Sequence, residues 1–323
     1  MRDEDTLLYH IEKGEFFEAS EVAGSILEES PDELEYIANF FATKYWLNRE
    51  KFFREEKKNY DFLLKEWKKF ESVLTEKGYP TTKVINQIKR YLLLKVKSNL
   101  ENRQHKEGIE EHDFPLLLEI AKGFLSVHDV SNTKEILQIA KLIQPFHPQI
   151  FFLYGDLNFM EMERTGNFEY FSYALSFFRD GFLLSPDTLD FKELQSETIK
   201  KIIRELQFLY DKNTEKVHYW LPVSIMMKAL PYNIRKLELD EIFNIEDEVS
   251  RLEQELPYVN VKYREKTLSR LLFFYLVILH SLLHHYSDND RVQEILSQIQ
   301  EYFPQLYLEL LKILDKIPSS DTI

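Results

Sequence analysis

The sequence predicts an all-α protein: helical hairpins stacked as a solenoid, followed by a C-terminal helical bundle. Three observations lead there. Glycine is rare, at 8 of 323 residues. No Asn-Gly or Asp-Gly turn joins two runs of alternating apolar and polar residues, so the signature of paired strands is missing. From Phe114 to Pro186 the chain twice reads as a helix, a short turn, a second helix and a proline.

Residues 4–30 read as a first hairpin turning at Gly14. Ser30-Pro31-Asp32-Glu33 reads as a helix start, with Ser at the cap, Pro first and Glu third. The helical pattern then runs to the stop at Lys77-Gly78-Tyr79-Pro80. It is either one very long helix or two that meet near Asn48 or Asn59. A helix over 81–101 follows, capped by Thr81 or Thr82, with Val84, Ile85, Ile88, Tyr91, Leu92 and Val96 as its apolar face. Together, 1–101 form an N-terminal region of a hairpin and long basic amphipathic helices. Residues 102–113, NRQHKEGIEEHD, are polar and hold Gly108; they are expected to be a linker.

The units at 114–186 have a physical logic. Ile136, Leu137, Ala140 and Ile143 recur at helical spacing and so share one face. Ala140 is small where a neighbouring helix must approach. Ala174, Phe178 and Gly181 hold the same offsets in the second unit. Pro148 and Pro186 end the units, since proline lacks the N–H that a helix interior needs. A hairpin cannot bury its whole apolar face alone, and stacking on the next one does so.

The spacing recurs at the start, where Gly14, Phe16, Ala19, Ala23, Ile26 and Pro31 follow the order turn, aromatic, small, small, apolar, proline. Thr133, Ile136, Ala140, Ile143 and Pro148 fall on the same places, as do Phe171, Ala174, Phe178, Gly181 and Pro186. This pattern resembles the second helix of the tetratricopeptide repeat. The first helices match less well; the expected Leu-Gly pair appears as Leu153-Tyr154-Gly155, too far from Ala174. The resemblance covers three units, a minority of the chain. It implies a stacked-hairpin fold and protein binding on a concave surface, and it implies no enzyme activity.

Beyond 186, helices are expected at 188–210, 214–230, 232–256, 262–286, 290–302 and 304–317, with Asp290 and Gln293 as a capping box. The helix at 262–286 is apolar nearly all round, which places it at the centre of a bundle over 187–317. Leu306, Leu308, Leu310, Leu311 and Leu314 of the last helix are expected to pack on it. The tail 318–323 reads as disordered.

Composition excludes several functions. With no cysteine, disulfides, thiolate chemistry and cysteine-based zinc sites are ruled out. That absence and the acidic N-terminus, which lacks the apolar core of a secretory signal, point to the cytoplasm. The longest apolar run, Leu271–Leu279, is far short of the ~20 residues of a membrane span. The net charge of −14 opposes non-specific nucleic-acid binding by the whole molecule. The charge is uneven, though. Residues 49–106 hold 16 Lys and Arg against 8 Asp and Glu, a net +8, and the remainder carries −22.

That basic segment supplies the sharpest candidate site. On one helix over 50–76, Phe53, Tyr60, Leu63, Leu64, Trp67, Phe70 and Leu74 form an apolar face. Lys51, Lys58, Lys65 and Lys69 form a narrow stripe opposite. The ordinary reading is a solvated lysine face. The functional reading is a docking surface for an acidic protein, for RNA, or for the acidic part of a second copy, which leaves a homo-oligomer open. His280 and His284 lie four apart on one helix face, a spacing that can hold a metal. The Glu of the metalloprotease motif is missing, spacing implies no third ligand, and histidines at a helix C-terminus also suit its dipole. Glu110-Glu111-His112-Asp113 reads as a solvated loop rather than acid–base machinery. Trp220 and Pro222 read as a packing aromatic beside a kink, and Met226-Met227 as core. No phosphate-binding Gly-rich loop and no GxSxG motif occurs. The sequence therefore points to a non-enzymatic, cofactor-free cytoplasmic adaptor that binds a protein or peptide between helices. A nucleic-acid-associated protein using 49–106 and a metal protein or enzyme centred on His280 and His284 are the alternatives.

Overall fold

The structure is a computed structural model that describes residues 3–50, 60–108, 110–186, 188–209, 219–226, 237–286 and 288–314. Among the described residues there are fifteen α-helices and no strand. No described helix is long and apolar enough to cross a membrane. The chain divides into two compact units, residues 1–145 and 146–323. The division falls inside the stretch read as continuous repeats.

In the first unit, α1 (Asp3–Lys13) and α2 (Phe16–Glu29) form the expected hairpin. Gly14 makes the turn at φ 76°, a conformation that favours glycine. The next helix, α3 (Leu34–Leu47), starts three residues later than Ser30-Pro31 suggested. The Ser30 N–H is spent on closing α2 at the Leu27 carbonyl, so Ser30 ends one helix instead of starting another. Among the described residues, the stretch from 31 to 77 holds two helices. After α3 the chain turns over Asn48–Glu50, and α4 (Tyr60–Lys77) is separate. Trp46 of α3 stacks on Trp67 of α4 at 5.9 Å, beside Phe70. Gly78, at φ 68°, closes α4.

Helix α5 (Lys83–Glu107) is the axis of this unit and packs against α1, α3, α4 and the helix that follows. Thr82 is its cap, and the Thr82 hydroxyl accepts from the Ile85 N–H at 3.1 Å. Val84, Ile85, Ile88, Leu92 and Val96 are buried, and Tyr91 is half-buried. The linker expected at 102–113 is largely structured. Residues 102–107 continue α5, and Glu111–Asp113 form a 3-10 turn. The reason is Asp113, which is buried against the Arg103 guanidinium. A polar segment became structure because its charges answer one another. Then α6 (Phe114–Ser126) and α7 (Val130–Ile143) make the first hairpin of the repeat stretch, with Ile136, Leu137 and Ala140 buried.

In the second unit, α8 (Pro148–Thr165) and α9 (Glu169–Leu184) form the other hairpin. After it come α10 (Glu197–Leu209), α11 (Trp220–Met226), α12 (Leu239–Glu255) and a 3-10 turn at Leu256–Tyr258. The chain continues through α13 (Val261–Ser281), a π-helical turn at Leu282–Tyr286, α14 (Asn289–Tyr302) and α15 (Pro304–Leu314). Helix α10 begins nine residues later than its apolar pattern suggested. Helix α13 packs against α11, α12 and α14, and Leu271, Leu272, Tyr275 and Ile278 are fully buried in it. The last helix packs chiefly on α14 rather than on α13. Its Leu306 and Leu310 are buried, while Leu308 is exposed. The cap of α14 is Asp288, not Asp290, and its carboxylate accepts from the Arg291 N–H at 3.1 Å. Pro222 sits in the first turn of α11, where its missing N–H has no partner within that helix to lose. The expected tail at 318–323 lies outside the described residues.

Candidate interaction surface

Hairpin α8/α9 has two unlike sides. On its inner side two glycines let the helices close. A Cβ on Gly155 would lie 2.7 Å from the Phe178 ring, and one on Gly181 would lie 2.9 Å from the Phe152 ring. Each helix thus accepts a phenylalanine of the other where it carries no side chain, and Phe152, Phe159, Phe178 and Phe182 fill that interior. The turn is set by Gly166 at φ 71°, and the Asn167 side chain accepts from the Glu169 N–H at 3.0 Å to start α9.

The outer side is an aromatic seam. Tyr154 of α8 stacks on Phe177 of α9 at 5.0 Å, with the rings 20° apart, and Phe151 lies 6.4 Å from Phe177. These three are half-buried, and Tyr173, one turn before Phe177, is 56% exposed. Burial pushes the Tyr154 hydroxyl above its usual pKa, so it stays a neutral donor. Asn158 and Glu161 continue the Phe151–Tyr154 stripe at helical spacing. Asn158 donates to the Tyr154 carbonyl at 2.7 Å, and the buried Glu161 carboxylate is forked by Arg164 at 2.8 and 3.3 Å. The seam therefore has an aromatic end and a charged end. Sequence reasoning noted Tyr154 only as part of a repeat motif. The signal that could have found the seam lies in the aromatics at 151, 154, 173 and 177.

The lysine stripe fares differently. Lys51 and Lys58 lie outside the described residues. Lys65 and Lys69 are exposed on α4. The Lys69 ammonium donates to Glu66 at 2.5 Å, and Arg49 donates to the other oxygen at 3.0 Å. Burial alone would raise the Glu66 pKa, but these hydrogen bonds outweigh it and hold the group below its usual value. Other described cations of the basic segment are answered in the same way. Lys68 pairs with Glu119, Lys89 with Glu71 at 3.0 Å, Arg90 with Asp129 at 2.7 Å and Lys97 with Glu135 at 2.6 Å. Lys68, Arg90 and Lys97 of α4 and α5 are thus met by Glu119 of α6, Asp129 at the cap of α7 and Glu135 of α7 in the same unit.

The weaker candidates separate too. His280 is half-buried in α13, and His284 falls in the π-helical turn. Asp288, just beyond them in the chain, caps α14. Among the described residues no group of three or more His, Cys, Asp or Glu is placed to hold a metal. At 110–113 the loop is not simply solvated: His112 lies between Glu110 at 2.8 Å and Arg103 at 3.1 Å, above the buried Asp113. Trp220 is buried, edge-on to Phe178 at 5.4 Å.

One cleft opens between α8 and the segment before α10, lined by Gln149, Leu153, Asp156, Asp190, Glu193 and Leu194. Its volume of about 20 Å³ suits a water molecule and is far below the roughly 300 Å³ of small-molecule sites. At its base Asp156 is buried, and its two oxygens accept from the Gln195 and Ser196 N–H groups at 2.7 and 2.8 Å. Burial raises the Asp156 pKa to about 6 against those bonds. One helical stripe away, Glu163 accepts from the Ser196 hydroxyl and the Thr198 N–H, both at 2.7 Å. Two carboxylates of α8 thus tie down the start of α10, a structural duty that sequence reasoning missed.

Fold and site together define an all-α protein of paired helices with an aromatic seam on one hairpin. Comparison with protein-family models, with curated proteins and with solved structures finds no match to this chain.

Proposed function

We propose that this chain is a non-enzymatic cytoplasmic adaptor of stacked, tetratricopeptide-like helical hairpins that binds a protein or peptide partner. The seam of hairpin α8/α9 is its contact surface. One observation carries the reading: Phe151, Tyr154, Tyr173 and Phe177 stand together on the outer side of a hairpin whose inner side is already filled. Aromatic side chains anchor interfaces because they offer large area with few rotatable bonds. The charged end at Glu161 and Arg164 supplies orientation.

The test is capture of native partners on the immobilised full-length protein, comparing wild type, Tyr173→Glu and Lys65→Glu. Both substituted residues are exposed, so helicity should not change. The expected result is a stoichiometric partner lost with Tyr173→Glu and kept with Lys65→Glu. The reverse pattern would move the contact surface to the lysine face of α4.

A further inference from the structure

We propose that the turn between α12 and α13 is a docking tip for an anionic lipid surface. Three apolar or aromatic side chains project there. Tyr258, which ends the 3-10 turn, is 89% exposed, and Val261, which begins α13, is 85% exposed. Tyr263, in the first turn of α13, is 50% exposed. Leu256 is buried beneath them and fixes the turn to its unit. Tyr258 and Val261 keep most of their surface in water, so burial in this fold does not account for them.

Charge decides what would cover them. Residues 256–266 hold Lys262, Arg264 and Lys266 against one acid, Glu265. That acid is engaged, since it accepts from the Tyr219 hydroxyl at 2.8 Å. The acids ending α12 are engaged too. Glu253 accepts from the Tyr275 hydroxyl, and Arg251 holds Glu255 at 2.6 Å. Lys266 is turned to Ser185, to which it donates at 2.7 Å. Arg264 is exposed and has no ion-pair partner among the described residues. Apolar side chains therefore stand beside an unanswered cation, where the neighbouring acids are already occupied. An anionic bilayer matches both features: tyrosine favours the headgroup level, and cations near the surface are drawn to acidic lipids. A bilayer also needs no matching pocket, whereas an ordinary protein interface takes about 800 Å² per partner, more than a single turn supplies. Repulsion from acids elsewhere on the chain is screened over about 8 Å at physiological salt.

The tip shares no residue with the α8/α9 seam, so each can fail alone. The test is flotation of the full-length protein with phosphatidylcholine vesicles, pure or with about 30% phosphatidylserine, at about 150 mM salt. The protein should float with the acidic vesicles and about fivefold less with the neutral ones. Tyr258→Ser with Val261→Ser should lower the acidic-vesicle fraction on apolar grounds, and Arg264→Glu should lower it about fivefold on ionic grounds. Both variants change exposed side chains and should keep wild-type helicity, and Tyr173→Glu should float like wild type. Four results would overturn the proposal: no flotation with acidic vesicles, wild-type flotation of the Tyr258→Ser, Val261→Ser variant, loss of flotation with Tyr173→Glu, or displacement from the vesicles by a glutamate–leucine peptide, which would give the tip to an acidic protein instead.

Discussion

Gly14 is the residue whose replacement the fold tolerates least. It combines a left-handed backbone with close approach to the Tyr91 ring, so an added Cβ would overlap the Tyr91 hydroxyl. Gly78 has a similar φ, 68°, with open space around it. Gly14→Ala and Gly78→Ala therefore separate backbone strain from overlap. Gly78→Ala should cost about 1 kcal/mol, and Gly14→Ala clearly more, in matched denaturant titrations. Equal losses would mean that Tyr91 swings away freely. Asp156 makes a second prediction at this scale. Its folded pKa of about 6 lies above the ordinary 3.8. The stability it contributes is therefore fully present below about pH 4 and is lost as pH rises through 6, to a ceiling of roughly 3 kcal/mol. Glu163 works in the opposite sense. Its pKa is lowered because hydrogen bonds from Ser196 and Thr198 outweigh the effect of burial, so its contribution fades as pH falls below the usual glutamate value. Asp156→Asn should flatten the dependence of stability on pH between 4 and 7, whatever its effect on the absolute value. An unchanged slope in that window would show that Asp156 is ionised throughout.

Helix α7 and helix α4 show how a buried contact and a surface charge differ in consequence. Ala140 is fully buried on α7. Ala140→Phe should overpack the α6/α7 crossing and cost about 1–3 kcal/mol; a variant that melts like wild type would place that face in solvent. Changing Lys51, Lys58, Lys65 and Lys69 as a group is not a clean surface test, because Lys69, on α4, supports the buried Glu66. Lys65→Glu should stay within about 0.5 kcal/mol of wild type. Lys69→Glu would set two carboxylates side by side and should cost more, with the loss shrinking at low pH as Glu66 is protonated. Thermal melts of both single variants at pH 7 and pH 4 distinguish these outcomes.

At the scale of the whole molecule, charge is organised by sign. The +8 of residues 49–106 looks like a surface for an acidic partner until its neighbours are seen. Glu119, Asp129, Glu135 and Asp113, from outside that segment, meet four of its cations within the first unit. With those charges spent and a net charge of −14, the intact protein should give no mobility shift with single-stranded RNA at about 150 mM salt. A shift that steepens as salt is lowered would restore the lysine face as a nucleic-acid surface. The aromatic seam of α8/α9 is the face on which a partner is proposed.

The sequence by itself determined the helical class, the hairpin turning at Gly14, and the buried small residues Ala140, Ala174 and Gly181. Those features are local: periodicity, a left-handed turn or a missing side chain can be read within one or two turns of helix. It misplaced the start of α3, the cap of α14 and the linker at 102–113, because Ser30, Asp288 and Asp113 each had two local options and distant or adjoining backbone chose between them. Only the tertiary structure decided which charges face outward. Lys65 and Lys69 are indistinguishable by spacing, yet Lys69 shares Glu66 with Arg49 from the turn after α3. Asp156 and Glu163 likewise look like ordinary acids of an amphipathic helix until the N–H groups of residues 195–198 arrive to meet them. Pairing between residues far apart in the chain depends on which helices pack together, and periodicity within one helix carries no information about that choice.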